Sequence, residues 1–160
     1  MILPEEISNI EFLRNLGEAH LNQIAMMAQL EECLEGTVLF QEGETSRFIY
    51  FVLSGKVALE VVEPDGESVE IATAEPGDLV GWSPALGRRA MTATGRVQTR
   101  CRFAVLDVKQ VLELCERDPR FGAAFFRQLA LVLSDRLQAT RRCLAISRTL
   151  SHRSPLEAFP

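Results

Sequence analysis

Residues 76–97 read PGDLVGWSPALGRRAMTATGRV, and this stretch decides the fold. Pro76-Gly77-Asp78 is a turn signal. The apolar pair Leu79-Val80 and Gly81 follow, then Ser83-Pro84, which reads as a short helix start with Ser83 as N-cap and Pro84 at the first helical position. A turn over Gly87, Arg88 and Arg89 leads into an extended run from Met91 to Val97. Strand, helix start and strand in so few residues make a small concave site, and backbone N–H groups at a helix start favour an anion. The residues expected to line it are Gly81, Trp82, Ser83, Ala85, Arg89, Met91, Thr92 and Ala93.

Working outward towards the N-terminus, short runs recur at even spacing: TVLFQEGE, FIYFVLSGKVALEVV and SVEIATAEPGD, separated by turns at Gly43, Ser54-Gly55 and Pro64-Asp65-Gly66. Val57, Leu59 and Val61 alternate with Ala58 and Glu60, the period of a half-buried strand. Asp65-Gly66 reads as a hairpin tip. Downstream, TRCRFAVLDVKQVLEL gives a last strand, Arg102 to Leu106, and a helix starting near Asp107. Many short strands with glycine turns indicate a jelly roll or double-stranded β-helix. The fold class is therefore mainly β with flanking helices (α+β): one domain over 1–150, with N-terminal helices over 1–35, a β-roll over 36–107, C-terminal helices over 108–150 and a polar tail over 151–160.

The quoted stretch resembles the phosphate-binding cassette of the cyclic-nucleotide-binding domain, as in the catabolite activator (Crp/Fnr) family. The family pattern, Gly-Asp-x-x-Gly-Glu-Leu-Ala-Leu followed by Arg-Ser/Ala-Ala-Thr, lies on this chain without a gap: Gly77, Asp78 and Gly81, then Thr92, Ala93 and Thr94. The glutamate that holds the ribose hydroxyl in the family falls on Trp82, and the arginine that holds the cyclic phosphate falls on Met91. The resemblance implies a regulatory module that senses a small molecule, with cyclic AMP or cyclic GMP as the family's ligand and weak or altered binding here. Trp82 is either a plug over the old ribose space, packed on Met91, or an aromatic wall for a less polar ligand. Arg89, two residues before Met91, shares its face if the strand already begins there, and would then substitute for the missing arginine.

From Asp118-Pro119 onward the pattern is helical. Phe126, Ala130, Leu133, Leu137, Thr140 and Leu144 recur at spacings of four and three, a seam for a partner helix. Part of it could instead bury against the roll of the same chain. In the family this long helix dimerises and lids the pocket. RLQAT, Arg136 to Thr140, is close to the family's version, and Thr140 falls where a threonine contacts the base. The resemblance thus implies a homodimer, a small-molecule effector and a downstream protein. Two other readings stand beside the sensor: a ligand-free dimeric scaffold, and a Crp/Fnr-type transcriptional regulator lacking its own DNA-binding domain. The tail SHRSPLEAFP offers no recognition helix, so direct DNA binding is not expected.

Before the roll, Phe12, Leu13 and Leu16, then Leu21, Ile24, Ala25, Ala28 and Leu30, read as two helices punctuated by Gly17, with His20 as a surface residue at a helix start. The net charge of −5 is split: residues 1–116 carry 9 basic and 19 acidic side chains, and residues 117–160 carry 8 arginines against 3 acidic ones. A solvated helix face accounts for that basic end. Cys33, Cys101, Cys115 and Cys143 are scattered and read as free thiols in a reducing compartment. The two histidines, His20 and His152, lie outside the roll, so neither a metal site nor a catalytic set is expected, and the chain is not read as an enzyme. MILPEEISNIEF lacks the basic flank of a signal peptide, and no apolar run suits a membrane span, so a cytoplasmic location is expected.

Overall fold

The computed structural model describes residues 2–87 and 90–152. Three short helices open the chain: α1 (Pro4–Ile7), α2 (Glu11–Arg14) and α3 (Glu18–Met27). Eight strands follow: β1 (Gln29–Cys33), β2 (Val38–Phe40), β3 (Phe48–Ser54), β4 (Val57–Val62), β5 (Ser68–Ala74), β6 (Leu79–Val80), β7 (Thr94–Val97) and β8 (Cys101–Asp107). Two helices, α4 (Val108–Arg117) and α5 (Pro119–His152), close it. The strands form two antiparallel four-stranded sheets, ordered β1-β8-β3-β6 and β2-β7-β4-β5.

The layers follow from side-chain alternation. In β3, Tyr50 and Val52 enter the core between the sheets, while Ile49 and Phe51 face the helices. In β8, Cys101, Phe103 and Val105 point between the sheets, and Ala104 and Leu106 point to the helices. One sheet is thus apolar on both faces, which is why FIYFVLS and CRFAVLD read as nearly continuous hydrophobic runs. The other sheet is covered on one face only: Val57 and Leu59 are buried, whereas Val62, Val69 and Ile71 are exposed. The helix-facing core is aromatic, with Phe12 edge-on to Phe51 (5.2 Å between centroids) and to Phe125 (5.4 Å). Fully buried Phe121, Phe125 and Leu129 lay the first half of α5 onto the same core.

Two helix starts are fixed by aspartates. Asp107 accepts from the Lys109 N–H at 2.9 Å and opens α4. Asp118 accepts from the N–H groups of Arg120 (3.0 Å) and Phe121 (3.1 Å) and opens α5.

The N-terminal section departs from the expected helices over 1–35. The helical pattern ends at Ala28, which is extended (φ −72°, ψ 146°), and Gln29–Cys33 is an edge strand paired with β8 from Gln29↔Val105 to Cys33↔Cys101. QLEEC carries few apolar residues because an edge strand is held by backbone hydrogen bonds to a distant partner, not by a buried stripe. His20 is likewise no surface residue. Its side chain is 19% exposed, its Nε2 lies 3.0 Å from Asp118 Oδ2, and its ring meets Phe121 edge-on at 5.4 Å. It joins α3 to the start of α5.

Candidate functional site

The cassette hangs from β3 and β6. Val80 pairs with Tyr50 and Leu79 with Phe51, and the turn before them is closed by Gly77 N–H to Val52 O (2.8 Å), Val52 N–H to Asp78 O (2.9 Å) and Glu75 N–H to the Asp78 carboxylate (2.8 Å). Gly81 then turns the chain at φ +79°, where an added Cβ would sit 3.0 Å from the Phe48 carbonyl oxygen. Ser83–Leu86 is a single 3-10 turn ending at left-handed Gly87 (φ +75°). Its N-cap is Trp82, with no side-chain cap, and not Ser83, which lies inside the turn and is buried with Ala85. So short a turn carries little dipole, and the expected anion site at a helix start loses its basis.

Arg89 lies outside the described residues. Met91 is not yet strand: it is tied to the β2–β3 loop by Met91 N–H to Glu44 O and Gly43 N–H to Met91 O, both 2.9 Å, and β7 begins only at Thr94. Met91 itself therefore lies outside the strand. Thr94 Oγ1 accepts from the Glu42 N–H at 3.0 Å, and Gly95 lies under Phe40, where a Cβ would fall 2.6 Å from Cζ.

The side chains at the two family grip positions occupy different places. Met91 is 5% exposed and belongs to the core between the sheets. Trp82 is half-buried against the helix-facing core. Gly81 and the 3-10 turn carry them to separate cores, not together as in the plug reading, one of the two weighed for Trp82. Trp82 instead meets a residue that sequence reasoning missed. The Arg136 guanidinium of α5 stands 4.0 Å over the Trp82 ring, and its Nη2 donates to Leu79 O at 2.8 Å. Burial pulls the Arg136 pKa down to about 10, against the opposing effect of the Asp78 charge. Helical register could have found it, since Leu129, Val132, Leu133 and Arg136 recur at three- and four-residue steps on the covered side of α5.

Of the other expected lining residues, Thr92 is exposed and Ala93 half-buried. Thr140 is exposed, and its hydroxyl donates back to Arg136 O at 2.9 Å. In the expected seam, Leu133 packs against the chain's own core, whereas Phe126, Ala130, Leu137, Thr140 and Leu144 are exposed. One side of the first half of α5 covers the roll while Phe126 and Ala130 on its other side stay open, and from Leu137 onward the seam positions are open.

The cysteines are free thiols, and burial pushes those of Cys33, Cys101 and Cys115 up, away from reactive thiolate. Among the described residues no group of three or more His, Cys, Asp or Glu side chains is arranged to hold a metal, and no helix is long and apolar enough to cross a membrane.

The family model for the cyclic nucleotide-binding domain matches residues 30–118, from β1 to the start of α5. The chain belongs to the cyclic nucleotide-binding domain family. It is 31% identical over 102 residues to a protein of Rhodopseudomonas palustris named as a potassium channel, a match covering 63% of this chain and 23% of that one. Among solved structures, a cyclic nucleotide-binding domain from Methylobacillus flagellatus superposes with a TM-score of 0.77 at 18% identity, covering 97% of this chain and 86% of the other. The catabolite activator protein of Thermus thermophilus gives 0.70 at 23% identity, covering 86% and 62%. These similarities show the roll and flanking helices of a cyclic nucleotide-binding domain. The domain spans about a quarter of the channel relative's length.

Proposed function

We propose that this cyclic nucleotide-binding domain is a non-catalytic sensing module with weakened or altered cyclic nucleotide binding, which signals through pairing of α5 with a second copy. One observation carries the reading: the helix that touches the cassette, through Arg136 on Trp82 and Leu79, carries the exposed stripe of Leu137 and Leu144 directly beyond that contact, with Ile146 and Leu150 exposed on its other side. A change at the cassette and a change at the stripe therefore act on one rigid element. Aliphatic side chains 51% to 66% exposed along a single helix favour a covered state. Burying a leucine fully contributes roughly 1.5–3 kcal/mol, so Leu137 and Leu144 from two copies add several kcal/mol to such an interface.

Sedimentation equilibrium tests this. The wild-type protein is expected to be a dimer at about 100 µM, a concentration at which even a ~1 µM interface is filled. Leu137→Glu is expected to be a folded monomer. A monomeric wild type under these conditions would end the signalling part of the proposal. Burial of Met91 and half-burial of Trp82 favour, as the second reading, a scaffold of the same fold without a ligand. In that case the dimer forms but does not respond to cyclic AMP or cyclic GMP.

A further inference from the structure

We propose that Arg136 is the anion-binding residue of this domain, so that the phosphate of its effector is gripped from the long helix and not from the cassette position held by Met91. This rests on the sensing reading above and names the group the site takes. Met91 cannot serve: it is apolar and 5% exposed, inside the core between the sheets. Arg136 has what the task needs. Its guanidinium carbon stands 4.0 Å from the centroid of the Trp82 ring, and one N–H is engaged by Leu79 O at 2.8 Å. A guanidinium has five N–H donors in a fixed fork, so most of its donor capacity is left for a ligand. Among the described residues no carboxylate lies within ion-pair distance (4.0 Å) of it. Asp78 is the carboxylate that acts on it from further off, and that side chain already closes its own turn on the Glu75 N–H at 2.8 Å.

A partly desolvated cation without a counter-charge is unfavourable, and burial accordingly pulls its pKa down to about 10. A bound anion relieves that cost and matches the planar fork with two parallel hydrogen bonds. The ligand class is a phosphate monoester or diester, free phosphate being its smallest member. The π contact with Trp82 holds the guanidinium against the cassette.

Trp82 is the single tryptophan, so its emission reads the site directly. The test titrates inorganic phosphate and cyclic AMP into the full chain at constant ionic strength, with chloride as the control anion. Wild type is expected to give a saturable change in emission with phosphate-bearing ligands and none with chloride. Arg136→Gln should weaken the response by more than about tenfold, the loss expected when charge-assisted bonds to one group are removed. Arg136→Lys keeps the charge without the fork and should fall between the two. Circular dichroism establishes that each variant is folded, and the lysine variant decides the matter if the glutamine variant is not. An equal response in wild type and a folded Arg136→Gln protein overturns the assignment, as does a wild-type emission unmoved by either ligand up to about 10 mM, beyond the ~1 mM scale of weak sites. Phosphate binding lost in the variant while the wild type is monomeric in sedimentation would leave Arg136 in place and remove the signalling reading instead.

Discussion

At the scale of single residues, the cassette is fixed by its turn glycines. Gly81 shows the framework: with φ +79° and the Phe48 carbonyl 3.0 Å from any added Cβ, it admits no other residue without strain. Gly81→Ala is expected to lower stability by about 1–3 kcal/mol, read as a lower denaturation midpoint with an unchanged slope. Gly77, Asp78 and Gly81 were legible in the sequence because turn geometry is local and each turn names its residue. The fate of the grip residues was not. Trp82 and Met91 part company because a left-handed glycine and a 3-10 turn send them to different cores, and Trp82 finds its partner 54 positions downstream in Arg136.

At the scale of elements, long-range pairing decides what local pattern could not. β1 follows directly on the helical run of Ile24, Ala25 and Ala28 and nothing local in QLEEC marks a strand, yet its backbone is claimed by β8. The same pairing sets Cys33 opposite Cys101, which their separation in sequence hides. The starts of α4 and α5 were legible, because an aspartate cap is a local signal. Asp107 is held below the usual carboxylate range first by its bond to Arg47 and then by the Lys109 N–H, and Asp118 by the Phe121 N–H and by His20. Both folded pKa values are depressed. Their stabilisation is therefore fully present above the unfolded value of about 4 and is lost as pH falls through the lower folded values. Thermal unfolding between neutral pH and pH ~3 should show wild type losing midpoint more steeply below pH ~4 than a variant carrying Asp107→Asn and Asp118→Asn, which keeps the caps but removes both titrations. Parallel curves would show that neither carboxylate contributes through its charge.

At the scale of the molecule, α5 does two jobs along its length. Phe121, Phe125 and Leu129 complete the core, and Leu137 onward is open. Replacing a core member and a stripe member separates the two jobs. Phe125→Ala is expected to cost about 3–5 kcal/mol of folding stability, as large core aromatics do. Leu144→Ala should leave the folding of the isolated domain within about 0.5 kcal/mol of wild type while weakening self-association. Comparable losses of stability from both would mean that the stripe is covered by its own chain. The jelly roll and the long helix were legible from periodicity; the division of labour along α5 was legible only as an alternative to the full seam, since 3.6-residue spacing allows overlapping faces and only docking on the roll selects between them.

The central claim is that this cyclic nucleotide-binding domain has lost the family grip at Trp82 and Met91, and calorimetric titration of cyclic AMP into wild type and a Trp82→Glu/Met91→Arg double variant tests it most directly. Two charged hydrogen-bonding groups at roughly 1.5–3 kcal/mol each correspond to several powers of ten in affinity. Wild type is therefore expected to bind weakly, with a dissociation constant above about 100 µM, and the folded double variant to bind at least about tenfold more tightly. A wild-type dissociation constant near or below about 1 µM would contradict the account.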